Sequence, residues 1–152
     1  MHLVAFSAAH RLAVVAALVL ASLGLSSAPA VAAKVPVGYQ IFCLKNPNEC
    51  KGGGASQIVV TDKTMSLIKG VNASVNRSIR PRNDSGADVW SASASSGDCE
   101  DYVLAKRRAL IKAGLPPSAL RIAYVKTRKR EGHAILVVMA DGKDWVLDNI
   151  NG

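Results

Sequence analysis

A chain of 152 residues with 20 % charged residues, 5 % aromatic residues and a formal charge of +8 has room for one domain of moderate size and its core. The cationic excess is spread over Lys45, Lys51, Lys106-Arg107-Arg108 and the run from Lys126 to Arg130. No aromatic residues are interleaved with it as a nucleic-acid-binding surface requires, which argues against nucleic acid as a partner.

The chain opens with a weakly basic stretch up to Arg11, an apolar Ala-rich run from Leu12 to Leu25, and Ala30-Val31-Ala32. This is the pattern of a secretory signal peptide cleaved near Ala32, and the apolar run is short for a permanent membrane span. The expected organisation is a leader over 1–32, an irregular lead-in over 33–60 and a folded domain over 61–152.

Export places the cysteines in a compartment that permits disulfides. Cys43 and Cys50 flank Asn46-Pro47-Asn48, a turn-forming sequence able to bring them together and staple the lead-in, which is otherwise broken by Pro36, Gly38, Pro47 and Gly52-Gly53-Gly54. Cys99 is then the odd thiol, either an intermolecular bridge or a reactive group.

From Thr61 to Arg80, Met65, Ile68, Val71, Val75 and Ile79 recur at spacings of three and four, predicting a core-packing helix that Thr61 or Asp62 caps and Pro81 stops. A polar loop, Arg82 to Gly97, carries Trp90, which is either a wall of a substrate groove or a core anchor. A second helix is predicted from Asp98 to Ala113, ended by Gly114. Cys99, Val103 and Leu110 share one side of it, and Lys106 to Arg108 partly face solvent. Strands are expected over Leu120 to Lys126, His133 to Ala140 and Lys143 to Ile150, the last two joined at Asp141-Gly142 by a type I′ hairpin turn.

The leader takes His2 and His10 with it, so cysteine–histidine chemistry falls to Cys99 and His133. A hairpin register that pairs Ala140 with Lys143 puts His133 and Asp148 on one sheet face as diagonal neighbours. That arrangement suits a Cys-His-Asp triad, in which the acid fixes the imidazole's tautomer and orientation while the base serves the thiol. Each residue also has a plain structural reading, a strand-opening histidine and a strand-ending acid. The first turn of the cysteine helix holds Asp98, Glu100 and Asp101, whose charges work against a thiolate. They are either a hard-oxygen site for Ca²⁺, helped by Asp84 and Asp88 or loop carbonyls, or an N-cap with two exposed acids.

Gly97-Asp98-Cys99-Glu100-Asp101-Tyr102, then Lys106-Arg107-Arg108, Gly132-His133-Ala134 and Leu147-Asp148-Asn149, resemble the bacterial transglutaminase-like cysteine peptidases, the LapG-like family. Cys43, Glu49-Cys50, Val71-Asn72, Val75-Asn76, Asp84 and Asp88-x-Trp90 fit its upstream pattern. The resemblance implies an α+β fold with a papain-like or transglutaminase-like core, and a triad of Cys99, His133 and Asp148. It also implies calcium held through Asp98, Glu100 and Asp101, and proteolysis in the periplasm. Family members of the best-studied type cut an outer-membrane adhesin and are restrained by an inner-membrane cyclic-di-GMP receptor. Relatives usually continue past the position where this chain ends, so the domain over 61–152 reads as C-terminally short. The same acyl-enzyme could serve amine transfer, as in transglutaminases, and a chain without turnover would act as a calcium-responsive binding protein.

Overall fold

A computed structural model describes residues 34–151, so the expected leader over 1–32 lies outside the described residues. The lead-in is more ordered than its prolines and glycines suggest. Helix α1 spans Val37–Lys45 and helix α2 spans Pro47–Cys50. Pro36 precedes the first, and Pro47 opens the second at a position where proline's missing N–H has no partner to lose. Asn46 stands between them, its side-chain amide donating to the Phe42 carbonyl at 3.0 Å. A disulfide joins Cys43 to Cys50.

Helix α3, Asp62–Ser78, begins with a reciprocal cap in which the Thr61 and Thr64 side chains each accept from the other's backbone N–H. The chain then forms β1, Arg80–Pro81, paired in parallel with β2, Ser96–Gly97, so the long loop between them is pinned at both ends. Helix α4, Cys99–Lys112, follows directly. After a 3₁₀ turn at Pro117–Ala119 come β3, Leu120–Lys126, β4, Gly132–Ala140, and β5, Lys143–Leu147, in an antiparallel meander ordered β3-β4-β5.

Ala134, Leu136, Val138 and Ala140 alternate along β4 and are fully buried. The first three pack with Val103 and Leu110 of α4 and Ile68 of α3 in the main core. The hairpin register is the expected one, Ala140 opposite Lys143 through Leu136 opposite Leu147. Asp141 and Gly142 both adopt positive φ, as a type I′ turn demands. Strand β5 nevertheless ends at Leu147, three residues short of the expected limit, because the next residues turn to bond the Asp148 side chain.

The basic run on α4 is more buried than expected, with only Arg108 partly exposed. Lys106 is fully buried and Arg107 nearly so. The Arg107 guanidinium donates to the carbonyls of Glu49, Lys51 and Leu120, and Arg108 pairs with Glu49 at 2.9 Å and donates to Ala92 O at 3.1 Å. These bonds tie the disulfide-closed lead-in to the back of the cysteine helix.

Candidate active site

Cys99 is the first residue of α4, where the backbone N–H groups have no intrahelical acceptor and the helix dipole favours negative charge. The half-buried thiol lies against β4: Sγ accepts from the Ala134 N–H at 3.3 Å and donates to Glu100 Oε2 at 3.1 Å. Burial pushes the thiol up to about 12, with the Glu100 and Asp98 charges adding to the rise and the Ala134 N–H opposing it.

His133 and Asp148 meet as the register requires, His133 Nε2 to Asp148 Oδ1 at 2.7 Å, both side chains buried. Nε2 is thereby committed to the acid, which leaves Nδ1 as the nitrogen free to exchange a proton. Asp148 is held from several directions. Its carboxylate accepts from the Ile150 N–H and the Asn151 amide, each at 3.1 Å, and its carbonyl accepts from the Asn76 amide of α3 at 2.9 Å. Burial works against its charge, but the Ile150 N–H, His133 and Asn151 outweigh it and hold the carboxyl below the usual carboxylate range. Asn76 and Asn151 hold Asp148 in place; the family resemblance includes Asn76 without giving it a role, and Asn151 is not among the residues the sequence singled out. The available signal for Asn76 was a polar residue inside the apolar stripe of α3, four residues after Asn72.

Cys99 and His133 line one cleft of about 550 Å³, together with Trp90, Tyr124, Gly132 and Asn149. Trp90 is packed in the core and also lines the cleft. Its ring packs on Tyr39 at 5.3 Å and among Phe42, Ala92 and Leu104, while its edge borders the cleft. A second cavity of about 640 Å³ runs beneath the β3–β4 turn, lined by Lys126, Arg128 and Lys129 and again by His133 and Asp148.

The acids sort differently from the expected set of Asp98, Glu100 and Asp101. Carboxylate oxygens of Asp84, Asp88 and Glu100 lie within 4.8 Å of one another. Trp90 Nε1 donates to Asp88 at 3.0 Å, and the Val89 N–H donates to Asp84 at 2.6 Å, so the loop places both acids opposite the helix. Burial raises the Glu100 carboxyl to about 8, with Asp98 and Asp88 as its polar neighbours. Asp98 flanks the group. One of its oxygens accepts weakly from the Asp84 N–H at 3.4 Å, and the other is buried without a partner among the described residues.

Asp101 turns away to accept from the Ser91 N–H at 2.8 Å, packed so closely under Gly97 that a Cβ there would overlap its carboxylate. Burial raises Asp101 to about 6, against the Ser91 N–H. Adjacent helix residues fan about 100° apart, and here Glu100 points toward Asp84 and Asp88 while Asp101 points toward Ser91.

The profile of the bacterial transglutaminase-like cysteine proteinases (BTLCP) matches residues 30–152. Among solved structures, Legionella pneumophila LapG matches at 24 % identity and a TM-score of 0.52, over 58 % of this chain and 54 % of that one. Its EGTA-treated and calcium-bound forms match equally well, so the match spans about half the length of these relatives. No curated protein matches the sequence. The likeness to these structures supports the mixed helix-and-sheet, transglutaminase-like fold.

Proposed function

Because the chain belongs to the bacterial transglutaminase-like cysteine proteinases, we propose that it cleaves a peptide bond of an envelope or surface protein through an acyl-enzyme on Cys99. The observation that carries this reading is the 2.7 Å contact of Asp148 with His133, which lines the same cleft as Cys99. His133 Nδ1 takes the Cys99 proton, and Sγ forms a bond to the scissile carbonyl carbon. The oxyanion accepts from the Cys99 N–H at the helix start. His133 returns the proton to the leaving amine as the C–N bond breaks, leaving a thioester. Water then attacks that thioester, giving its proton to His133 and releasing a carboxylic acid and the thiol. Asp148 holds the ring in the tautomer these transfers need.

Calcium is the cofactor of this reading. The donor set fits it: three convergent carboxylates and a buried, unpartnered Asp98 oxygen are hard ligands of the kind Ca²⁺ collects. Asp84, Asp88 and Glu100 would hold the ion, with Asp98 beside them, and one solved relative was obtained calcium-bound. Bound there, a divalent cation offsets the negative charge beside the thiol.

Export through the leader over 1–32 places the enzyme in the periplasm. Its substrate segment lies across the cleft and under the β3–β4 turn, where Lys126, Arg128 and Lys129 favour acidic side chains. An outer-membrane adhesin as substrate and an inner-membrane cyclic-di-GMP receptor as restraint are the partners that the family likeness brings to this reading.

The test incubates the leaderless protein with an envelope-protein extract, with and without a calcium chelator, beside Cys99→Ala. New N-termini that require calcium and Cys99 are the expected result. Cleavage that persists in Cys99→Ala refutes the triad, and amine incorporation in place of new N-termini shows a transglutaminase.

A further inference from the structure

Helix α1 has two faces. Gly38 and Phe42 are buried on the inner one, Phe42 packing with Trp90, Ala92 and Leu104. A Cβ on Gly38 would overlap the Trp90 indole and the Asp88 carboxylate, so the helix backbone lies directly on two residues that line the cleft. The outer face carries Val37, Ile41 and Leu44, at spacings of four and three, which are 66 %, 45 % and 83 % exposed. At about 100° per residue these three fall on one narrow stripe, with Gln40 on one side of it and Lys45 on the other, both exposed. Val35, just before the helix, is half exposed too. A run of apolar side chains on one helix face gains by leaving water, and nothing among the described residues covers this one.

Charge says what does cover it. From Lys34 to Lys51 the sequence holds three lysines and one acid, Glu49. Glu49 is spent on Arg108 at 2.9 Å, whereas Lys34, Lys45 and Lys51 are exposed and make no ion pair among the described residues. A second copy of the chain seated on this stripe would bring the same cations onto one interface, which opposes self-association. An anionic phospholipid bilayer offers both an apolar layer and negative charge: an amphipathic helix sinks its apolar face into the headgroup boundary while its lysines meet the phosphates. We propose that the outer face of α1 is a membrane-docking surface that seats this chain reversibly on an anionic phospholipid bilayer. Gly38 holds Trp90 and Asp88 against the inner side of the same helix, so a docked α1 keeps that wall of the cleft close to the membrane.

The test is flotation of the leaderless protein with vesicles of phosphatidylethanolamine and phosphatidylglycerol, and separately with vesicles of phosphatidylcholine alone. Binding to the first is expected, falling with added salt, and about tenfold or more weaker binding to the second. Ile41→Ser combined with Leu44→Ser should lower the partition coefficient about tenfold or more. Lys34→Ser and Lys45→Ser should each lower it about fivefold. All four side chains are exposed, so melting temperatures should stay close to the parent's. Cys99→Ala should bind vesicles as the parent does, which separates this outcome from the protease reading.

No binding to the anionic vesicles at low salt overturns the inference. Binding that the Ile41→Ser, Leu44→Ser variant leaves unchanged overturns it as well, by assigning the contact to another basic stretch such as Lys126 to Arg130. Self-association that this variant abolishes, without vesicle binding by the parent, makes the stripe an interface between copies and overturns it equally. Should the double variant fail to fold, Leu44→Glu, at the most exposed of the three positions, makes the same comparison, and parent-like vesicle binding in it overturns the inference.

Discussion

Calcium-dependent stability separates the two acid sets by experiment. Full charges on three carboxylates within 4.8 Å of one another repel by about 3 kcal/mol per pair or more at an effective dielectric constant of about 20. A divalent cation among them therefore acts on the native state alone. At a free concentration one hundred times its Kd, calcium stabilises by about 2.7 kcal/mol. Unfolding entropy for a domain of about 120 residues is about 0.25 kcal/mol/K, so the melting temperature should rise by about 10 °C over the chelated protein. Asp84→Asn or Asp88→Asn removes one charged ligand. Each tenfold loss of affinity then removes about 1.4 kcal/mol, or about 5 °C of that rise at the same calcium concentration. Asp101→Asn should behave differently. The Asp101 carboxylate accepts from the Ser91 N–H outside that trio, so whatever the change in melting temperature, it should be the same with and without calcium, leaving the calcium increment intact. Differential scanning fluorimetry with calcium and with chelator, on the three variants and the parent, measures this directly. If Asp101→Asn abolishes the increment while Asp84→Asn and Asp88→Asn retain it, the reasoning from side-chain direction is wrong.

The other expectations concern the triad, the staple and pH. Asp148→Asn keeps the shape but not the charge, so cleavage should fall roughly 10²- to 10⁴-fold with the melting temperature changed far less, measured as the rate of appearance of new N-termini. Replacing Cys43 and Cys50 by serine opens a loop whose ends are 7 residues apart and should cost about 2.5 kcal/mol, read from the shift of the urea midpoint. Because burial raises Asp101 to about 6, its folded carboxyl keeps a proton that the unfolded one releases near pH 4. That contribution to stability is complete below about pH 4 and disappears as pH rises through about 6. Melting curves of parent and Asp101→Asn in chelator across that window should converge at the acid end and separate toward neutrality, and parallel curves would show that Asp101 is not a buried acid.

The geometry of the candidate site was legible because its carriers obey short-range rules. A two-residue type I′ turn fixes the register, and the register puts Asp148 within reach of His133 even though β5 stops at Leu147. A helix start fixes Cys99 in the same way, and the Thr61 cap and the stripe from Met65 to Ile79 define α3. Long-range polar bonding was not legible. Prolines 36 and 47 read as breakers but stand at helix starts, and the lead-in is ordered by its disulfide and by Arg107 and Arg108, whose burial no local pattern indicates. The acids were gathered by sequence proximity, whereas the loop between β1 and β2 brings Asp84 and Asp88 across to Glu100 and diverts Asp101 to Ser91.

Charge along the triad is strongly polarised. At the Asp148 end the supports are donors: the Ile150 N–H and the Asn151 amide on the carboxylate, and the Asn76 amide on the carbonyl. At the Cys99 end the supports are acids, and the thiol spends its proton on Glu100 Oε2. Glu100 also belongs to the trio with Asp84 and Asp88. A cation drawn to that trio and the proton of Cys99 therefore address the same carboxylate, while the His133–Asp148 pair is joined through Nε2 and does not involve that carboxylate. A calcium response in this chain should accordingly appear first in the alkylation rate of Cys99 and leave the His133–Asp148 proton resonance nearly unmoved. A resonance that shifts with calcium as much as the alkylation rate does would place the coupling in the imidazole–carboxylate pair instead.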